Sequence, residues 1–162
     1  MEIRLRIPKA LEEVAKKFEI DLEALALESL IKELHLDPAT EIEVHRELAK
    51  KFLEDGLKLI EADPVQASEK LYKAAEEALK VLVLKHELKE IIEKVEKRGR
   101  WKAEDFFEAV SMLRQVYGDD IRRLWSTAWE LHVWGFHEAK ATNKYVKERA
   151  EDVRKLVELA LN

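Results

Sequence analysis

One stretch decides the fold: Asp63-Pro64-Val65-Gln66-Ala67-Ser68-Glu69-Lys70-Leu71-Tyr72-Lys73-Ala74-Ala75-Glu76-Glu77-Ala78-Leu79-Lys80. Asp63 can cap a helix through its side chain, and Pro64 suits the first helical position. After them, apolar residues recur at three- and four-residue spacing, with Glu and Lys on the other side, which predicts a long amphipathic helix. The apolar stripe consists of Leu71, Tyr72, Ala75, Ala78, Leu79 and Leu82.

Helical patterns continue on both sides of this stretch. Upstream, Thr40 can cap a preceding helix, and Gly56 within that helix predicts a close helix crossing because glycine has no Cβ. Downstream, Gly99 fits a helix end, and Asp119 can cap a later helix. Short Asp-Pro connections imply antiparallel neighbours, so we predict an all-α antiparallel bundle over residues 39–162.

The start of the chain has a different pattern. Residues 2–7 alternate strictly, with Ile3, Leu5 and Ile7 on one side and charged residues on the other. Period two predicts a short, half-buried β-strand. Pro8 then suits the first turn of one helix, and Asp21 can cap a second. We therefore predict a strand-helix-helix unit over residues 1–38.

The composition narrows the class of protein. The 162 residues carry a net charge of −5 and no cysteine, so neither a disulfide nor a thiolate site is expected, and bulk attraction to nucleic acid is not favoured. No apolar run is long enough for a membrane span or a signal peptide, which predicts a cytoplasmic protein without a membrane partner. Charged residues make up 39% and side-chain amides are few, a thermophile pattern; a helix-rich surface laced with opposite charges is the alternative.

The chemistry-bearing residues concentrate in Leu131-His132-Val133-Trp134-Gly135-Phe136-His137-Glu138. We take His132, His137 and Glu138 as candidate catalytic residues, because two imidazoles near neutral pKa can transfer protons. On an unbroken α-helix a five-residue spacing separates them by ~140°, so they can converge only if the helix breaks at Gly135. The alternative is a structural histidine packed at a helix break.

No cofactor or metal is expected. Zinc-binding histidines on one helix favour a spacing of four, unlike His132 and His137. Glycine-rich phosphate loops, zinc patterns and nucleophile elbows are also missing from the sequence.

Two basic segments are candidates for nucleic-acid binding. The first contains Arg4 and Arg6, and the second contains Arg98, Arg100 and Lys102 beside Trp101. A solvated helix end is the alternative for the second segment. The nearby Trp125, Trp129, Trp134 and Phe136 could stack bases, but the four-residue spacing of Trp125 and Trp129 favours packing on one helix face. Tyr72 is expected in the core with its hydroxyl bonded.

Two stretches, QASEKLYKAAEEALK at 66–80 and WELHVWGFHE at 129–138, resemble the archaeal PaREP family, a helical group similar to HEPN domains. The resemblance covers residues 40–160 and implies a bundle of antiparallel helices that often dimerises, with roles in toxin–antitoxin or defence systems. HEPN nucleases carry an arginine shortly before their catalytic histidine. Here His132 stands five residues before His137, and the nearest upstream arginine is Arg123.

The strand-helix-helix order of residues 1–38 is similar to that of ribbon-helix-helix dimers, in which strands of two chains pair. That resemblance implies that Ile3, Leu5 and Ile7 face the dimer core while Arg4 and Arg6 face DNA. Acidic residues outnumber basic ones in this segment, which favours dimerisation alone over DNA binding.

Three functions follow as hypotheses. The favoured one is a non-catalytic, homodimeric binding or regulatory protein, whose further protein partner the sequence does not specify. The second is an RNA-cleaving HEPN relative that uses His137 with His132. The third is a DNA-binding regulator acting through Arg4 and Arg6.

Overall fold

Two units make up the chain, Met1–Asp37 and Pro38–Asn162. The computed structural model describes residues 2–18 and 20–162. Regular secondary structure within these residues is entirely helical, which confirms the all-α class. None of the described helices is both long and apolar enough to cross a lipid bilayer.

The first unit contains α1, Lys9–Lys17, and α2, Leu22–Glu33. Pro8 immediately precedes α1, as predicted from its fixed backbone angle. Asp21 caps α2 as predicted, because its Oδ1 accepts a hydrogen bond from the Ala24 N–H at 3.1 Å. Of the residues that the structure describes in this unit, Ala15 alone is buried.

The strand predicted over residues 2–7 is absent: residues 2–8 form no regular secondary structure. A strand needs a neighbour to bond its backbone N–H and C=O groups, and the described part of a single chain supplies no second strand. Ile3 and Leu5 are exposed at 68% and 67%. Their alternation with charged residues is therefore not used for packing within one chain.

The second unit is a helical bundle. Its elements are α3 Pro38–Leu59, α4 Pro64–Lys85, α5 Lys89–Arg98, α6 Ala103–Tyr117, α7 Asp120–Glu130, a π-helical turn Leu131–His137, and α8 Asn143–Leu161. Helix α4 contacts α3, the π turn and every later helix, so it forms the centre of the bundle. Leu71, Leu79 and Leu82 on α4 are fully buried.

Most of the predicted helix ends are where the sequence placed them. Asp63 caps α4 by accepting from the Gln66 N–H at 3.0 Å, and Gly99 ends α5 with a left-handed φ of 81°. Two assignments were wrong. Helix α3 already begins at Pro38, before Thr40. Asp119 occupies the predicted N-cap position of α7, but its side chain accepts a hydrogen bond from the Arg114 guanidinium rather than from a backbone N–H.

Gly56 marks the close crossing of α3 and α4 that the sequence predicted. A Cβ at this position would lie 2.9 Å from Cγ of Leu71 and 3.2 Å from its backbone nitrogen. The absent side chain thus lets the two helices approach each other along the part of α4 that carries the core.

The charged side of α4 departs from the prediction. Its Glu and Lys residues were expected to face solvent, but Glu77 and Lys80 are exposed by only 8% and 6%. The reason is that α4 is covered on several sides by other helices, so its polar side is also enclosed.

Candidate functional site

The π-helical turn brings His132 and His137 together. Their Nε2 atoms lie 3.1 Å apart, and their ring centroids are 4.4 Å apart. In a π-helix the backbone bonds connect residues five apart, as in the Glu138 N–H to Val133 C=O bond of 2.9 Å. A spacing that separates two side chains on an α-helix therefore aligns them here, by widening the helix rather than by breaking it.

Gly135 allows this turn to lie against α4. A Cβ at this position would be 2.5 Å from Oγ and 2.9 Å from Cβ of Ser68. The Ser68 hydroxyl donates to the Pro64 carbonyl at 2.9 Å, so Ser68 is itself held in place. Position 135 thus needs glycine for close approach between the π turn and α4.

Glu69 of α4 is the acid that meets the histidine pair. Its Oε2 lies 2.8 Å from His132 Nδ1, and both side chains are less than one-fifth exposed. An ionised carboxylate only accepts hydrogen bonds, so His132 Nδ1–H donates to Glu69. A His132 ring that carries its single proton on Nδ1 has its lone pair on Nε2, and in that tautomer His137 Nε2–H donates to it. The order Glu69–His132–His137 forms a relay of hydrogen bonds that includes the exposed imidazole of His137.

Tyr72 forms the buried wall of this relay. Its ring stacks on that of His132 at a centroid distance of 4.0 Å, and its hydroxyl is hydrogen-bonded with Glu76. Burial raises the pKa of Glu76 to about 8, with Lys80 opposing the rise and Glu77 adding to it. Tyr72 lies in the core with a bonded hydroxyl, as predicted.

Glu138, the predicted third member of the site, has a different contact. Its Oε2 lies 3.2 Å from Lys140 Nζ at the surface, and the carboxylate in contact with His132 is that of Glu69. A catalytic role for Glu138 stays a prediction. Glu69, Tyr72 and Glu76 lie on one face of α4, because they are three and four residues apart. This spacing could have been recognised in the sequence. The sequence gave no indication that the π turn would pack against that face.

The tryptophans divide between core and surface. Trp125 is 1% exposed and packs against Tyr72 and Phe106, which confirms the prediction of core packing. Phe107 is exposed and meets Trp129 edge-on at 5.1 Å. Trp134 is also exposed, with Lys140 Nζ 4.2 Å from its ring centroid. These exposed rings give the bundle an aromatic surface near the histidine pair.

The basic segment after α5 is folded onto α6. Arg98 makes two hydrogen bonds of 2.9 and 3.0 Å with Asp105, which also accepts from the Lys102 backbone N–H at 2.7 Å. Trp101 stacks on Phe106 at 5.1 Å. The Arg98 charge is thus compensated, whereas the side chains of Arg100 and Lys102 are exposed. In the first unit, Arg4 and Arg6 are exposed as well. Nucleic-acid binding by these residues stays a prediction.

A second buried polar cluster joins α3 to α4. His45 Nδ1 lies 2.5 Å from Glu77 Oε2, and Lys80 Nζ lies 2.8 Å from Glu77 Oε1. Burial alone would lower the pKa of His45, but hydrogen bonds to Glu41 and Glu77 raise it. Burial alone would raise the pKa of Glu77, but Lys80 and His45 lower it to about 2. His45 and Glu77 are 32 residues apart along the chain, so their contact could not be predicted from local sequence patterns.

None of these clusters resembles a metal centre. Within residues 2–18 and 20–162, no group of three or more His, Asp or Glu side chains is placed to hold a metal ion. The histidine pair and Glu69 are instead arranged as a chain of hydrogen bonds, which suits proton transfer.

Comparison with known proteins places the chain among archaeal proteins. A sequence profile described as the archaeal PaREP1/PaREP8 family matches residues 44–157. A crystal structure of a Sulfolobus solfataricus protein is similar, with 48% identity and a TM-score of 0.67 over 71% of this chain and 94% of that one. A solution structure of the same structural-genomics target has 49% identity and a TM-score of 0.58 over 75% and 89%. No curated protein matches the chain.

Proposed function

The chain belongs to the archaeal PaREP1/PaREP8 family, and we propose that it is a non-catalytic, homodimeric binding or regulatory protein whose first unit makes the dimer. One observation carries this proposal: the first unit has almost no interior of its own. Ten of its large apolar side chains are exposed, and four others, Leu22, Leu27, Ile31 and Leu36, are only half-buried. The exposed ones are Ile3, Leu5, Ile7, Leu11, Val14, Phe18, Ile20, Leu25, Leu30 and Leu34.

A unit of this kind requires a partner. Segments below about 40 residues rarely bury enough surface to be stable without a staple or association. The chain has no cysteine, so no disulfide can serve as the staple. Leu11 and Val14 on α1, and Phe18 at its C-terminal end, follow helical spacing, which makes one continuous apolar face available for contact.

A second copy of the chain is the occupant we propose for this face. Closed two-fold dimers are the commonest assemblies of soluble proteins, and each copy brings an equal apolar surface. The charges on residues 2–6 are also complementary to themselves when two copies run antiparallel. The second unit, with exposed Phe107 and Trp134, then supplies a surface for a further partner. A toxin–antitoxin or defence setting stays a prediction.

Sedimentation velocity tests the proposal. We expect the full chain to sediment as a dimer and Leu5→Glu to shift it to monomer, because a charge would then lie in the apolar interface. Val116→Glu is the matched control, since Val116 is comparably exposed but lies on the bundle. A monomeric wild type would contradict the proposal, as would a dimer that Leu5→Glu leaves intact.

The Glu69–His132–His137 relay favours a second candidate, general base catalysis of RNA cleavage. RNA carries its own nucleophile, the 2′-hydroxyl, so a single well-oriented base can promote its attack on the adjacent phosphate. The bond from phosphorus to the 5′-oxygen then breaks, the 5′-oxygen takes a proton from solvent, and a 2′,3′-cyclic phosphate remains. When His137 accepts that proton, His132 and Glu69 stabilise the positive charge through their hydrogen bonds. This candidate requires no arginine at the position that HEPN nucleases use.

Cleavage of a mixed RNA pool tests this candidate. His132→Ala, His137→Ala and Glu69→Gln should each lower the rate by about a hundredfold or more, the usual contribution of general base catalysis. His35→Asn is the control, because His35 is exposed in the first unit and has a positive φ that asparagine tolerates. Cleavage that all three variants retain would come from a contaminant or from another site.

A further inference from the structure

We propose that His132 and His137 form a binding site for one divalent transition-metal ion, and that Glu69 orients His132 toward that ion. The inference does not depend on the proposed dimer, because all three residues belong to the second unit of one chain. It follows from the separation of two ring nitrogens, from the contact behind one of them, and from the form of the turn that carries both.

The distance between the two ring nitrogens suits a shared ion. His132 Nε2 and His137 Nε2 lie 3.1 Å apart. Imidazole nitrogens bind zinc at about 2.0–2.1 Å, so two of them on one tetrahedral ion lie about 3.3 Å from each other. His137 is exposed, so its ring can move by the small difference. The two nitrogens can therefore share either a proton, as in the relay, or a metal ion.

The π turn removes the objection that the spacing of these histidines raised. Zinc-binding histidines on an α-helix are four residues apart, because that spacing places both on one face. In the π turn Leu131–His137 the backbone bonds connect residues five apart, so a five-residue spacing has the same result. The sequence expectation of no metal assumed α-helical geometry, which this segment does not adopt.

Glu69 makes the contact that metal-bound histidines commonly have at their second nitrogen. Its Oε2 lies 2.8 Å from His132 Nδ1. A proton held on Nδ1 by this carboxylate leaves the lone pair of Nε2 for an ion, and the contact also raises the basicity of the ring. Tyr72 stacks on the same ring at a centroid distance of 4.0 Å. The orientation of His132 is therefore fixed before an ion binds.

The site is open, unlike a complete metal centre built from protein side chains alone. Within residues 2–18 and 20–162 no group of three His, Asp or Glu side chains is placed around one ion. Zinc usually has four ligands, so two positions remain for water or for an oxygen of another molecule. The exposed ring of His137 places these positions at the surface. Imidazole ligands favour zinc, copper or nickel over magnesium or calcium.

Titration calorimetry of the full chain, free of any affinity tag, with Zn²⁺ as the only added ligand tests the site. We expect one ion per chain, and both His132→Ala and His137→Ala should abolish the binding. His35→Asn is the matched control, because His35 is an exposed histidine of the first unit and its loss should leave the affinity unchanged. The proposal would be overturned by a wild type that binds no Zn²⁺, by binding that His137→Ala retains, or by binding that His35→Asn abolishes.

Two further measurements test the roles of the individual side chains. Glu69→Gln should weaken Zn²⁺ binding about 10- to 100-fold, the usual cost of losing the partner of a ligating histidine, and an unchanged affinity would overturn the role of Glu69. Electron paramagnetic resonance of the Cu²⁺ complex should show two nitrogen ligands in the wild type and one in His137→Ala. This variant alters an exposed side chain, so it should fold normally. Identical spectra would overturn the shared site, whether the chain is a dimer or a monomer.

Discussion

The two units of this chain place their apolar residues in opposite ways. In the first unit, large side chains such as Leu5 and Phe18 are exposed and only Ala15, among the residues described there, is buried. In the second unit, side chains of similar size, such as Leu71 and Leu79, are fully buried around α4. Burial of apolar area is the main stabilising term, so the core of the second unit stabilises that unit, whereas the described residues of the first unit bury little apolar area.

The polar groups differ in the same way. Ion pairs of the first unit, such as Lys16 with Glu12, lie at the surface, where they contribute little. The second unit encloses Glu77 with His45 and Lys80, and it partly encloses Glu69 with His132. Burying a polar group is costly unless it is hydrogen-bonded, so these enclosed side chains are paired. Pairing holds each side chain in one position, which the exposed ion pairs of the first unit do not do.

The largest expected effect comes from truncating one leucine in each unit. Leu79→Ala should destabilise the bundle by about 2–5 kcal/mol, because it leaves a cavity in a packed core. Leu30→Ala, at an exposed position of α2, should leave bundle melting unchanged and weaken only the dimer. Thermal melts followed at two protein concentrations separate the two effects. Equal destabilisation of the bundle by both variants would show that the units share one core.

A smaller effect is expected at the contact between the π turn and α4. Gly135→Ala should cost about 1–3 kcal/mol, because its methyl group would overlap Ser68. It should also separate His132 from His137, which NMR of the imidazole resonances would detect. Combining it with Ser68→Gly should recover part of the loss. A Gly135→Ala protein that melts like wild type would contradict the close approach.

The smallest expected effect is the pH dependence of the α3–α4 link. A raised His45 pKa contributes stability that is complete below its ordinary value of 6.5 and is lost as the pH rises through the raised pKa. The lowered Glu77 pKa contributes stability above 4.5 that is lost as the pH falls toward about 2. The difference in melting temperature between wild type and His45→Gln should therefore shrink above pH 6.5. Glu76 is present in both proteins, so its contribution to stability cancels in that difference. A difference that grows with pH would exclude a charged His45.

The bundle could be predicted because the sequence features that determine its helices lie close together along the chain. The Asp63-Pro64 start of α4, its apolar stripe and the close crossing at Gly56 each depend on residues within a few turns, and each is confirmed. The predicted strand at residues 2–7 did not form, because strand pairing depends on a neighbour that one chain does not contain. Its alternation did not predict the conformation of these residues within one chain.

The histidine site was only partly predictable. The concentration of polar and aromatic residues in 131–138 identified His132 and His137, and the need for an irregular helix at Gly135 was also clear from the spacing. The sequence did not indicate a π turn, which depends on packing against Ser68. Glu69 and His45 were missed because their partners are 63 and 32 residues away along the chain.

The mass of the full chain in solution, compared with that of a chain lacking residues 1–37, tests the central claim most directly. Light scattering coupled to size-exclusion chromatography should give a dimer for the full chain. The fragment Pro38–Asn162 should be a folded monomer, because its core is its own. A fragment that remains dimeric would place the interface on the bundle and contradict the account.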